Sequence, residues 1–169
     1  MNLCYSMKIH RQLKAFLPFL FSFAFVQLPA QVVEKIYKPY IATAQLYGYG
    51  NQQQLPVYKL NSSDRLQLEF DDMEGSLKNY YYAFVLCDYN WKQVNLNPFD
   101  YTKGFTQNRI ITYRYSSIAF TKYTHYQAVL PDRNSLPTRS GNYLLKVFLD
   151  GDTSKLDYTR HMLGPDSIN

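Results

Sequence analysis

Cysteine, histidine, glycine and tryptophan are all scarce in this chain, and each shortage removes a class of chemistry. Of the 169 residues only two are cysteine, Cys4 and Cys87, and Cys4 lies in a segment that reads as a removable leader. One remaining thiol cannot close an internal disulfide, so a disulfide-stapled scaffold is excluded even in an oxidising compartment. Cys87 ends the apolar run Phe84-Val85-Leu86-Cys87, where a free cysteine ordinarily serves as a small buried hydrophobe. A reactive thiol would need cationic neighbours to lower its pKa, and only Lys92 is close in sequence. Beyond the leader the histidines are His125 and His161, neither of them spaced from a Cys or His as zinc ligation requires. The seven glycines build no phosphate-cradling loop, and no nucleophile elbow or paired catalytic motif is present. No cofactor is called for. Nor is there a sustained 3.6-residue apolar period, which argues against a helical fold.

What the chain does have begins with its leader. Lys8, Arg11 and Lys14 precede the apolar run Ala15 to Val26, which ends in Leu28-Pro29-Ala30. That order of basic region, apolar core and small residue predicts a cleaved secretory signal over residues 1–30. The run falls short of the ~20 residues that span a bilayer as a helix, so no membrane span is expected after cleavage. Cys4 stands ahead of the apolar run and cannot be the acylated cysteine of a lipoprotein; Met7 offers an alternative start. The overall pI of 9.1 is mostly a property of this segment: removing its three of the 18 basic residues leaves 15 against 13 acidic ones. A nearly balanced chain without a Lys/Arg run gives no footprint for nucleic acid or an anionic membrane surface. Residues 31–163 suit one domain, large enough to bury about two-thirds of its unfolded surface.

Two-residue apolar alternation recurs between turn signals along the mature chain, predicting an all-β, antiparallel, immunoglobulin-like sandwich. The expected strands are Ile41 to Tyr49, Pro56 to Leu60, Arg65 to Phe70, Tyr80 to Cys87, Ile110 to Tyr115, His125 to Leu130, Tyr143 to Leu149 and Lys155 to Arg160. Asp150-Gly151 at the tip of the last pair is a hairpin signal, since glycine tolerates the positive φ of a tight turn. Alternation places Tyr143, Leu145, Val147 and Leu149 on one face of their strand, expected inward, and Leu66, Leu68 and Phe70 likewise. Gly141-Asn142-Tyr143 is similar to the entry of an immunoglobulin strand whose corner tyrosine bonds back to the main chain. The acidic stretch Asp71-Asp72-Met73-Glu74-Gly75 lacks the ligand spacing of a calcium loop and is expected to be a solvated turn. The stretch from Trp91 to Arg109 shows no clear strand, and such a loop is either tied down by its aromatics or functional.

Sixteen of the seventeen tyrosines lie past the leader. Adjacent strand positions face opposite sides, so in Tyr80-Tyr81-Tyr82 the middle ring must point away from its neighbours. Three uses fit so many tyrosines: half-buried sheet surface, a partner-binding face, or a sugar-binding platform. The lone tryptophan argues against the last.

An ordered series of segments carries a family resemblance: Asn79-Tyr80-Tyr81-Tyr82, Cys87 to Trp91, Pro98-Phe99-Asp100-Tyr101, Gly104 to Arg109, Thr121 to Gln127, Ser140 to Tyr143 and Asp150 to Ser154. Together they resemble the N-terminal domain of the type IX secretion system plug protein family of the Bacteroidetes, over about Tyr37 to Leu163. The resemblance implies a non-catalytic periplasmic subunit that closes a giant outer-membrane β-barrel translocon by protein–protein contact. It also implies that this chain is part of a longer protein, with residues 164–169 as the start of a linker, because family members continue into a second β-rich region. The partner expected is therefore the translocon barrel, with no nucleic acid. The alternative is an exported carbohydrate-binding or adhesion module. Trp91, Phe99, Tyr101, Phe105 and Arg109 from the long loop, with Tyr81 from the strand face, are the expected contact residues.

Overall fold

The computed structural model describes residues 34–117 and 120–166. The expected leader, residues 1–30, lies outside the described residues, as does the end of the expected linker, residues 167–169. The described residues form ten strands: β1 (Ile41–Gly48), β2 (Leu66–Asp72), β3 (Tyr80–Cys87), β4 (Thr102–Gly104), β5 (Asn108–Arg109), β6 (Thr112–Tyr115), β7 (Thr124–Leu130), β8 (Ser135–Pro137), β9 (Gly141–Leu149) and β10 (Leu156–Gly164). One antiparallel sheet runs β1-β2-β7-β6, a second β10-β9-β3-β5, and β4 with β8 forms a small ribbon. The first two orders are those of an immunoglobulin sandwich, in which the first, second, fifth and fourth strands oppose the seventh, sixth and third. Residues Glu34 to Tyr37 add a further edge beside β10, where Thr159 N donates to Lys35 O at 2.9 Å and Tyr37 N to Asp157 O at 2.8 Å.

Period-two alternation explains the core. Leu66, Leu68 and Phe70 are all fully buried, as the pattern of β2 predicts. Phe70 is the hub: its ring centroid lies 4.9 Å from that of Tyr80, 5.1 Å from Tyr126 and 5.1 Å from Tyr158. These three neighbours come from both sheets, so aromatic packing joins the layers, and removing the hub ring would cost about 3–5 kcal/mol. The same alternation turns Asp72 inward at the end of β2 and buries it completely. The solvated turn expected at Asp71-Asp72 is thereby corrected. Tyr80 Oη donates to Asp72 Oδ2 at 2.8 Å and Lys78 Nζ sits 2.7 Å from the same oxygen, the compensation a buried carboxylate demands.

Tyr143, Leu145 and Val147 face the core as expected, and Tyr80 and Tyr82 are buried while Tyr81 points outward and is half-covered. The outer side of the same sheet is less wet than alternation implies. Leu144, Phe148, Val85 and Cys87 are buried there too. Cys87 is a buried thiol held 3.6 Å from Val85 O, and burial pushes its pKa up, against a reactive role. The corner tyrosine is realised: Tyr143 Oη donates to Arg139 O at 2.7 Å.

Three expectations are corrected. Pro56 to Leu60 is not a strand; it runs extended beside the end of β10, with Tyr58 N donating to Leu163 O at 2.8 Å and Leu60 N to Pro165 O at 3.0 Å. The predicted strand over Ile110 to Tyr115 shortens to β6, because Ile110 is buried where the chain crosses from β5 in one sheet to β6 in the other. The long loop is not free of structure: it holds a 3-10 turn at Pro98–Asp100 as well as β4 and β5.

Candidate docking surface

The loop between β3 and β6 is built as a set of local constraints, each legible in its residues. Asp88 opens it, its Oδ1 accepting from Asn90 N at 2.8 Å and Lys92 N at 2.9 Å. That tight turn puts Trp91 at φ +61°, an uncommon conformation for a bulky residue. The indole is thereby folded back across the outer sheet face, where it packs on Val85, Cys87 and Leu144 and stacks on the His161 ring at 3.7 Å between centroids. Next, Asn97 caps the 3-10 turn by accepting from Phe99 N at 3.1 Å, with Pro98 at its first position, where a missing N–H costs nothing.

Tyr101 then enters the core. It is only 2% exposed, its ring edge-on to Tyr143 at 6.3 Å, and burial raises its pKa. Its role as a contact residue is therefore corrected: it is the anchor of the loop. Thr138 N donates to Tyr101 O at 2.9 Å and Arg139 Nε to Asp100 O at 3.0 Å, fastening the turn to the β8–β9 connection. β4 pairs with β8 immediately afterwards, and Gly104 sits at φ +95° against Asn134, where an added Cβ would lie 2.1 Å from Asn134 O. Only glycine fits there.

With the backbone fixed in this way, Phe99 and Phe105 project outward, 71% and 65% exposed. Leu96 is also exposed on the same loop. Arg109 lies on β5 opposite Tyr81, and its guanidinium bonds Asn79 Oδ1. Tyr81 stacks on Phe148, ring centroids 6.4 Å apart. The six expected residues thus divide: Phe99 and Phe105 are free apolar surface, Trp91 and Tyr81 are half-covered by packing, Arg109 is an exposed cation, and Tyr101 is interior.

Sequence reasoning placed a strand here but missed its exposure: Ile111, just ahead of β6, and Tyr113 and Tyr115 on it are exposed, although the run reads as an ordinary alternating strand. Tyr113 and Tyr115 contact each other edge-on at 5.5 Å. Tyr113 also leans on the buried Tyr126, ring centroids 6.1 Å apart. Among the described residues no group of three or more His, Cys, Asp or Glu is placed to hold a metal ion, and no helix is long and apolar enough to cross a membrane.

These features define an immunoglobulin-like β-sandwich that presents a rigid, aromatic-tipped loop. Residues 41–163 match the family described as the Type 9 secretion system plug protein 1st domain, and the chain belongs to that family. Its role is accordingly one connected with type IX secretion. The fold is also similar to a crystal structure, at 2.30 Å resolution, of a hypothetical protein from Parabacteroides merdae ATCC 43184. The TM-score is 0.75 at 24% identity, over 80% of this chain and 34% of that one. The chain therefore spans about a third of the length of that protein. No curated protein matches the sequence.

Proposed function

We propose that this chain supplies a non-catalytic, periplasmic module that closes the outer-membrane β-barrel translocon of type IX secretion by direct protein–protein contact. The observation that carries the reading is the pairing of anchor and tip in one loop: Tyr101 buried in the core, Phe99 and Phe105 held out into solvent. A seal that must form and release needs a preorganised surface, because ordering a floppy loop on each closure would cost binding free energy. Exposed aromatics on a rigid loop meet that need and are the side chains that dominate protein interfaces. Family membership supports the choice of secretion system, and the signal-like residues 1–30 support export to the periplasm. A contact of roughly 1,000 Å² or more would seal without the permanence of an obligate complex.

The test is to tag the protein at its native locus, solubilise the outer membrane gently and identify what co-purifies. Recovery of a large β-barrel, lost in the Phe99→Ala/Phe105→Ala double variant, supports the reading. Recovery of the tagged protein alone overturns it.

A further inference from the structure

On the outer face of the β1-β2-β7-β6 sheet lies a groove of about 520 Å³ that the loop surface does not use. Its floor is set by cross-strand register. Glu69 pairs with Gln127 and Gln127 with Thr112, so one row of planar or hydroxyl side chains crosses three strands of the groove. Such a row repeats at about the 4.8 Å spacing of neighbouring strands.

One wall is aromatic. Tyr49, 61% exposed, is held at the rim by its own backbone, Tyr49 N donating to Arg65 O at 2.9 Å. Tyr47 lies deeper, its hydroxyl shared between Gln52 and Glu69, and burial raises its pKa. Gln67 Nε2 donates to Glu69 Oε1 at 3.3 Å. The polar groups are therefore already oriented by one another, while the open side of each keeps unused lone pairs and N–H groups.

No lysine or arginine lines the groove, and its one charge is the Glu69 carboxylate. Phosphate, sulfate or a uronic acid would meet that carboxylate without a counter-charge, so anionic ligands are disfavoured. A peptide strand would seek free backbone groups at a sheet edge, and the face of a sheet offers none. An uncharged polyhydroxyl chain fits what is left. Amide and carboxylate groups bond hydroxyls as both donors and acceptors, and a tyrosine face covers the C–H side of a ring.

We infer that this groove binds a neutral oligosaccharide laid across the strands, with Tyr49 as its stacking platform and Glu69 and Gln127 as its hydrogen-bonding floor. The site is separate from the proposed plugging contact, which uses Phe99 and Phe105. The experiment is an NMR titration of the purified chain with five neutral hexasaccharides: β-1,4-linked glucose, mannose, xylose and N-acetylglucosamine, and α-1,4-linked glucose. A hexamer of galacturonic acid serves as the anionic control. The expected result is saturable shifts at Tyr49, Gln67 and Gln127 with at least one neutral sugar and none with the control. Tyr49→Ala should weaken that binding by about tenfold or more while leaving the melting temperature unchanged. Absence of shifts with all five sugars at about 10 mM overturns the inference. So does binding that survives both Tyr49→Ala and Gln127→Ala.

Discussion

The hydroxyl of Tyr143, at the start of β9, donates to the main-chain carbonyl of Arg139 at 2.7 Å, while its ring lies fully buried between Phe84 and Tyr101. Burial pushes the phenol up to about 12, so it remains a donor throughout the physiological range. This bond closes the turn that also receives the loop anchor, since Arg139 Nε reaches Asp100 O. Tyr143→Phe should therefore cost about 1 kcal/mol of stability, read as a lowered midpoint in urea unfolding with an unchanged slope.

Burial divides the loop aromatics into two energetic classes. Tyr101→Ala opens a core cavity and should destabilise by about 3–5 kcal/mol. Phe99→Ala and Phe105→Ala remove exposed rings and should stay within about 0.5 kcal/mol of the parent. Thermal unfolding of the three variants side by side checks the division; a large loss in either phenylalanine variant would place that ring in the interior.

Gly104 is where the small ribbon presses on the preceding turn. Gly104→Ala forces a Cβ into Asn134 O at an unfavourable φ, so it should cost more than about 1 kcal/mol. Faster amide exchange at Phe105, whose N–H bonds Asn134 O at 2.6 Å, would mark the site of the damage.

Asp157 gives the fold a signature in pH. It is fully buried at the start of β10; Tyr40 Oη donates to its Oδ1 at 2.8 Å, and its Oδ2 has no partner among the described residues. Burial raises its pKa above the ordinary carboxylate value, opposed by the Tyr40 bond and by Lys38 and Lys78, with Asp72 reinforcing the rise. A carboxyl whose pKa is higher folded than unfolded binds its proton more tightly in the native state. Its ionisation therefore destabilises the fold above the raised pKa, and the penalty is relieved as pH falls through that value toward the unfolded one. Relative to Asp157→Asn, which cannot titrate, the parent should gain melting temperature between pH 7 and pH 4. A difference that stays constant across that range would show that Asp157 does not titrate there.

Much of the sandwich was legible beforehand because alternation is a local signal. Leu66, Leu68 and Phe70 had to share a face, and Tyr81 had to oppose Tyr80 and Tyr82, whatever packed against them. The family resemblance was legible for the same reason, being carried by turn and strand residues in a fixed order. Asp72 was misread although it lies in phase with Phe70, because an acidic pair before glycine has the composition of a turn. Its partners, Lys78 and Tyr80, justify burial only once the chain has folded back. Pro56 to Leu60 was misread in the opposite sense: its extended pattern is real, but it meets the end of β10 through a few backbone bonds instead of a full ladder.

The candidate surfaces were less legible, since exposure belongs to what a neighbour covers. Nothing local separates Tyr101 from Phe105; the first enters the core because Tyr143 and the β8–β9 connection meet it there. The Glu69-Gln127-Thr112 row joins residues from three separated segments, and only strand pairing sets them side by side. By itself, then, the sequence determined the strand alternation, the all-β class and the family, because backbone geometry and residue order are local. Tertiary structure alone decided which aromatics are anchors, which are tips and which polar groups share a groove, because burial depends on contacts made across the whole chain.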